Sequence, residues 1–207
     1  MPKQEAPLTA LARYLPQGSV EPVLALLNQH RVHLTVSRER RTLLGDYRHR
    51  TQAQNHRISV NGSLNKYAFL ITLLHELAHL TTFERWGHRV DAHGTEWKSE
   101  FALLLKPYVQ SKIFPADIAA ALQKALTNAA AASCADAALQ RVLHQYDLKK
   151  KGTVLVEDIA PNALFQTDDG RVFQKGAQLR KRFQCVEVKT KKLYLFSPVY
   201  AVRIVDC

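Results

Sequence analysis

Thr72-Leu73-Leu74-His75-Glu76-Leu77-Ala78-His79-Leu80 is the stretch from which the rest of the chain can be read. His75 and His79 lie four residues apart, so on a helix they project from one face, one turn apart. At that spacing two imidazoles can hold one zinc ion. Glu76 then sits beside the metal, where its carboxylate can take a proton from an attacking water. The flanking Ala68, Phe69, Leu70, Ile71, Leu73, Leu74, Leu77, Ala78 and Leu80 are apolar nearly all the way round. That distribution marks a buried helix rather than a surface one. A buried helix carrying two His and a Glu must satisfy those polar groups, and a metal ion does so together. The stretch predicts a zinc hydrolase site.

Upstream, residues 7–30 read as two helices broken at Pro16-Gln17-Gly18, the second starting at Val20 with Pro22 in its first turn. Residues 32–36 alternate like a strand, and 43–48 and 57–61 read as two more. A small sheet packed on the His-Glu helix follows, with an edge strand able to pair with an extended peptide. From Arg31 to Arg57 there are seven arginines against Glu39 and Asp46, with His30, His33, His49, His56 and Tyr47 in or beside them. This is either a solvated sheet face or a phosphate-binding surface, since guanidinium forks match phosphate geometry. The spacing of the four histidines is too irregular to predict a second metal site.

Downstream, Gly87 ends the His-Glu helix. A third helix begins with Thr95 as its cap, buries Trp97, Phe101, Leu104 and Leu105, and stops before Pro107. Further helix is expected over 115–128, and another from Ser133-Cys134-Ala135-Asp136 to about Tyr146. From Lys149 the pattern changes to short β runs at 153–159, 163–166, 171–174, 182–189, 193–196 and 200–205, the mark of a small barrel or sandwich. That segment holds 12 basic and 6 acidic residues. Cations and aromatics interleave at Lys175, Arg180, Lys181, Arg182 and Phe183, which fits nucleic-acid binding or a solvated rim. The calcium-loop outline from Asp147 to Val154 has Lys149 and Lys151 where carboxylates belong, so calcium is excluded.

The fold class expected is α+β: a zincin-like small sheet packed on a buried His-Glu helix, then further helices and a small C-terminal all-β module. The expected divisions are a domain over 1–132, a connecting helix over 133–148 and a basic β-rich module over 149–207. The 207 residues suffice for one good-sized domain plus such a module. Lys and Arg outnumber Asp and Glu by 29 to 18, a net charge of +11 with pI near 9.7, which favours a polyanionic partner. Cys134, Cys185 and Cys207 are odd in number and widely spaced, excluding a disulfide framework and a four-Cys zinc site. No signal-peptide core and no run of 18 apolar residues is present, so a cytoplasmic protein without membrane attachment is expected, nucleoid-associated if bacterial.

Two histidines do not complete a zinc site. The compact pattern with Gly and His after the second histidine is absent, because Thr82 and Arg85 stand there. His93 and Glu100 remain as candidates for the third ligand. The pair His75-Glu76-Leu77-Ala78-His79 and His93-Gly94-x-x-Trp97-Lys98 resembles the SprT-like metalloprotease family, which includes the Spartan proteases that cleave proteins crosslinked to DNA. The resemblance covers roughly residues 8–128. It implies that His93 is the third zinc ligand and that Glu100 is not, with Glu76 as catalytic acid and base. Many members carry a zinc ribbon with paired cysteines after this domain, whereas here the β-rich module takes its place.

The function expected from this is zinc-dependent hydrolysis of peptide bonds in DNA-associated or DNA-crosslinked proteins. DNA would be held by the Arg31–Arg57 surface and the 149–207 module. The alternative is a basic nucleic-acid-binding protein with a structural, non-catalytic zinc. A metallo-hydrolase of a non-protein substrate is a third possibility.

Overall fold

The computed structural model describes residues 8–38, 43–127, 136–147 and 152–205. The chain forms two compact units, 1–147 and 148–207. Its mixture of helices and two sheets is α+β.

The first unit opens with a 3-10 turn over Leu8–Arg13, where a regular helix was expected, and α1 at Val20–Gln29. Three strands follow: β1 (His33–Ser37), β2 (Gly45–Arg48) and β3 (Arg57–Asn61), in the order β1-β3-β2. β1 runs parallel to β3 and β2 antiparallel to it. Alternation sends Leu34, Val36, Tyr47, Ile58 and Val60 to the core side. Against that side lies α2, Lys66–Trp86. Residues 68–78 of α2 are all buried. Leu73, Leu74, Leu77 and Leu80 have no exposure, each worth about 2 kcal/mol of burial.

Both ends of α2 are fixed. The Asn65 side chain accepts from the Tyr67 and Ala68 backbone N–H groups at 3.1 and 2.9 Å, capping the first turn. Its amide nitrogen donates to Leu143 O at 2.9 Å and Asp147 Oδ1 at 2.6 Å. At the other end Gly87 turns the chain with φ 62°, a region that L side chains rarely adopt.

α3 spans Thr95–Gln110 and passes through Pro107 instead of stopping before it. Leu105 and Tyr108 are buried on either side of the proline, so packing holds the last turn against its lost hydrogen bond. Gly94, not Thr95, occupies the cap position. α4 (Ala116–Thr127) and α5 (Ala137–His144) complete the unit. Asp136 caps α5 through the Leu139 N–H, and Leu139 and Leu143 enter the first core, so this helix packs into the unit. Ser133 and Cys134 of the expected capping stretch lie outside the described residues, as do Arg40, Arg41, Cys207 and Lys149–Lys151.

The second unit is one six-stranded antiparallel sheet. Its strands are β4 (Thr153–Leu155), β5 (Leu164–Gln166), β6 (Val172–Leu179), β7 (Arg182–Glu187), β8 (Leu193–Phe196) and β9 (Ala201–Ile204), in the order β4-β9-β5-β6-β7-β8. The expected 153–159 run ends early in a 3-10 turn, Val156–Asp158. Phe165, Phe173 and Cys185 are wholly buried, with Phe196 and Tyr194 edge-on against Phe173. Lys175 does not join the basic surface expected of this segment. It is 4% exposed, donates from Nζ to the Glu157 and Ile159 carbonyls and lies 4.3 Å over the Phe183 ring. Among the described residues no helix is long and apolar enough to cross a membrane.

Candidate metal centre

Helix α2 presents His75 and His79 one turn apart, and the loop before α3 brings His93 to them. The Nε2 atoms of His75 and His79 are 3.2 Å apart, and those of His93 and His75 are 3.1 Å apart. All three ligand atoms lie within 4.8 Å of one another, and among the described residues this is the single group of three or more His, Cys, Asp or Glu side chains so arranged. A tetrahedral zinc with Zn–N bonds near 2.0–2.1 Å sets its nitrogens about 3.3 Å apart, so the donor set fits that ion. Three close histidines of this kind could hold a metal ion.

The surroundings keep the rings neutral, the form whose lone pair binds metal. Burial, with His79 and His93 close by, pushes the His75 imidazole down to about 3. Burial and His93 push His79 down to about 4, and burial followed by Lys98 lowers His93. His93 adopts φ 69°, the left-handed region, which costs a non-glycine residue on the order of 1 kcal/mol. A turn in which the Gly94 N–H donates to Asp91 O at 2.9 Å helps hold it there.

Trp97, on the first turn of α3, forms the floor. Its ring centroid lies 4.6 Å from those of His75 and His93 and 5.3 Å from that of His79, and it has no exposure. Phe101 stacks beneath Trp97 at 5.0 Å. His75 Nδ1 and Trp97 Nε1 are both buried without a hydrogen-bond partner. With Nε2 turned to the other two rings, Nδ1 is the atom left to carry the His75 proton.

Glu76 is 7% exposed and stands outside the three-histidine group. Its carboxylate lies against the backbone of β2 at Gly45, where an added Cβ would be 2.5 Å from Glu76 Oε1. Sequence reasoning passed over Gly45, although a glycine inside a strand pattern is a signal of close backbone approach. Glu100, the other candidate for the third ligand, is not in the group. It is 4% exposed and accepts from Arg85 Nη1 at 2.8 Å.

Three of the four histidines around the arginine-rich segment are engaged elsewhere. His30 Nδ1 is 2.8 Å and His56 Nε2 3.5 Å from the Glu84 carboxylate, Tyr47 OH is 2.9 Å from His56 Nδ1, and His49 stacks on Phe83 at 4.8 Å. His88 packs edge-on against His49 and Phe83, and Tyr67 packs against Phe114 and Tyr146.

Residues 16–112 match the model of the SprT-like family. The resemblance carried by the two motifs is thus shown for the segment from the end of the first turn to just past α3, which contains every residue of the centre. This likeness suggests a metallopeptidase-like role. No curated protein and no solved structure matches the chain. The second unit lies wholly outside the matched residues.

Proposed function

We propose that this SprT-like protein is a zinc-dependent metallopeptidase, with His75, His79 and His93 as the metal ligands and Glu76 as the catalytic residue. The reading is carried by one observation: three neutral imidazoles converge through Nε2, two of them on the helix that also carries the nearly buried Glu76. The small sheet packed on a buried His-Glu helix supports a zincin-like reading of this unit. A zinc ion held there supplies Lewis acidity to a water and to a substrate carbonyl. Glu76 takes the proton of the attacking water and delivers it to the departing amine. Trp97 closes the site from beneath the rings. β2, an outer strand of the sheet, lies beside Glu76 and can receive an extended peptide along its free edge.

The substrates proposed are DNA-associated or DNA-crosslinked proteins. The net charge of +11, the arginines between Arg31 and Arg57 and the basic 149–207 segment support a polyanionic partner.

The test uses the purified full chain with zinc quantified, incubated with a DNA-bound protein with and without single-stranded DNA. Glu76→Gln is run beside it. The expected outcome is one zinc per chain in both proteins and cleavage by the wild type alone. Cleavage that survives Glu76→Gln rejects the assigned role. Zinc retained by a wild type that cleaves no protein favours the structural-zinc alternative.

A further inference from the structure

The face of the small sheet turned away from α2 has a charge arrangement that the metal centre does not explain. Arg48 on β2 and Arg57 on β3 are direct partners in the antiparallel register, so two guanidinium groups stand side by side on one face. His33 of β1 is in register with Arg57 and continues the row. Like charges directly opposite each other on a sheet repel and destabilise the pairing. The cleft at this place, about 350 Å³, has one carboxylate in its lining, Asp46, whose Oδ2 already accepts from Arg48 Nε at 3.0 Å. Arg57 Nε is shielded from solvent and has no hydrogen-bond partner. Hydroxyl groups from Thr35 and Ser59, in register with each other, line the same cleft.

Two guanidinium groups in register share one carboxylate, and the buried Arg57 Nε with hydroxyls beside it calls for an oxyanion. Guanidinium forks and hydroxyls suit the oxygens of a phosphate, and the cleft has room for a phosphate with an attached sugar. We propose that the outer face of the β1-β3-β2 sheet is a phosphate-binding site, with Arg48 and Arg57 as its principal contacts and Thr35 and Ser59 as supporting donors. Two sources share this chemistry, a nucleic-acid backbone and a free phosphate or nucleotide. The inference rests on the strand register and the cleft, on the opposite face from Glu76, and is independent of the peptidase reading.

The probes are a fluorescent single-stranded oligonucleotide titrated across a salt series, and inorganic phosphate in a thermal-shift series against chloride at matched ionic strength. Arg48→Gln and Arg57→Gln are each expected to weaken oligonucleotide binding roughly 5- to 10-fold and to reduce the salt slope by about one. Lys106→Gln, an exposed change on α3, is expected to leave both unchanged. Arg48→Glu pairs a carboxylate with Arg57 across the register. It exchanges the Asp46 pair for one with Arg57, so it should stay folded with a melting temperature near that of the wild type and bind least, which separates loss of the site from loss of the fold. Zinc content is expected to stay at one per chain throughout, so a failure of the metal reading shows separately. Protection by inorganic phosphate without oligonucleotide binding supports the site and assigns it to a free phosphate group. Wild-type affinity, salt slope and phosphate protection in all three arginine variants overturn the proposal.

Discussion

Gly45→Ala is the perturbation that best isolates the placement of Glu76. The new methyl would lie 2.5 Å from Glu76 Oε1, 2.8 Å from Glu76 Cγ and 2.8 Å from Thr72 Cγ2. Ordinary contact begins at 3.4 Å, so the carboxylate has to retreat by about 0.9 Å or β2 has to lift away from α2 by a similar amount. Thr72 and Glu76 are 3% and 7% exposed, which leaves little room to yield. Overpacking of this kind costs about 1–3 kcal/mol, and misplacing a catalytic group by 1 Å costs about 100-fold in rate. The backbone itself tolerates alanine, because φ at this position is not positive. The expected result is a melting temperature lower by a few degrees, zinc retained at one per chain, and kcat/KM on a peptide substrate reduced about 100-fold. The loss should fall mainly on kcat. A Gly45→Ala protein with wild-type kcat and an unchanged melting temperature would refute the claim that Glu76 works from its seat against β2.

Two further outcomes follow from the same geometry. The lowered pKa values of His75 and His79 mean that the unfolded chain binds more protons than the folded one between about pH 4 and 6.5. Stability of the metal-free protein is therefore fully present above about pH 6.5 and falls as the pH drops through that window, by up to about 1.4 kcal/mol per unit for each group. A melting temperature that stays flat from pH 7.5 to 5 in metal-free protein contradicts this. Glu100→Gln removes the charge facing Arg85, and stability is expected to drop by about 1 kcal/mol with zinc unchanged. Zinc lost in that variant would place Glu100 among the ligands after all.

The His-Glu helix was legible from its residues because its signals are local: the four-residue spacing fixes which side chains share a face, and the apolar wrap fixes burial. The three strands of the first sheet were likewise visible in their alternation. His93 was not readable from spacing alone, which left Glu100 equally open; the motif resemblance singled it out, and the φ of 69° shows why local propensity could not. Pro107 misled for the opposite reason, since its local signal to stop is overridden by burial of Leu105 and Tyr108. Lys175 reads as surface charge in the sequence, and only the folded chain supplies the two carbonyls that draw it inside. The meeting of Arg48 with Arg57 depends on register, which no single strand records.

Trp97 gives the centre an optical readout. The chain has two tryptophans, and the other, Trp86, lies at the end of α2 with the Arg85 guanidinium 5.9 Å from its ring centroid. Indole emission from Trp97, in contact with all three imidazoles, should dim when cobalt or copper enters and change again when a chelator strips them out. Occupancy can therefore be followed by intrinsic fluorescence in an unlabelled sample, with Trp86→Phe removing the background.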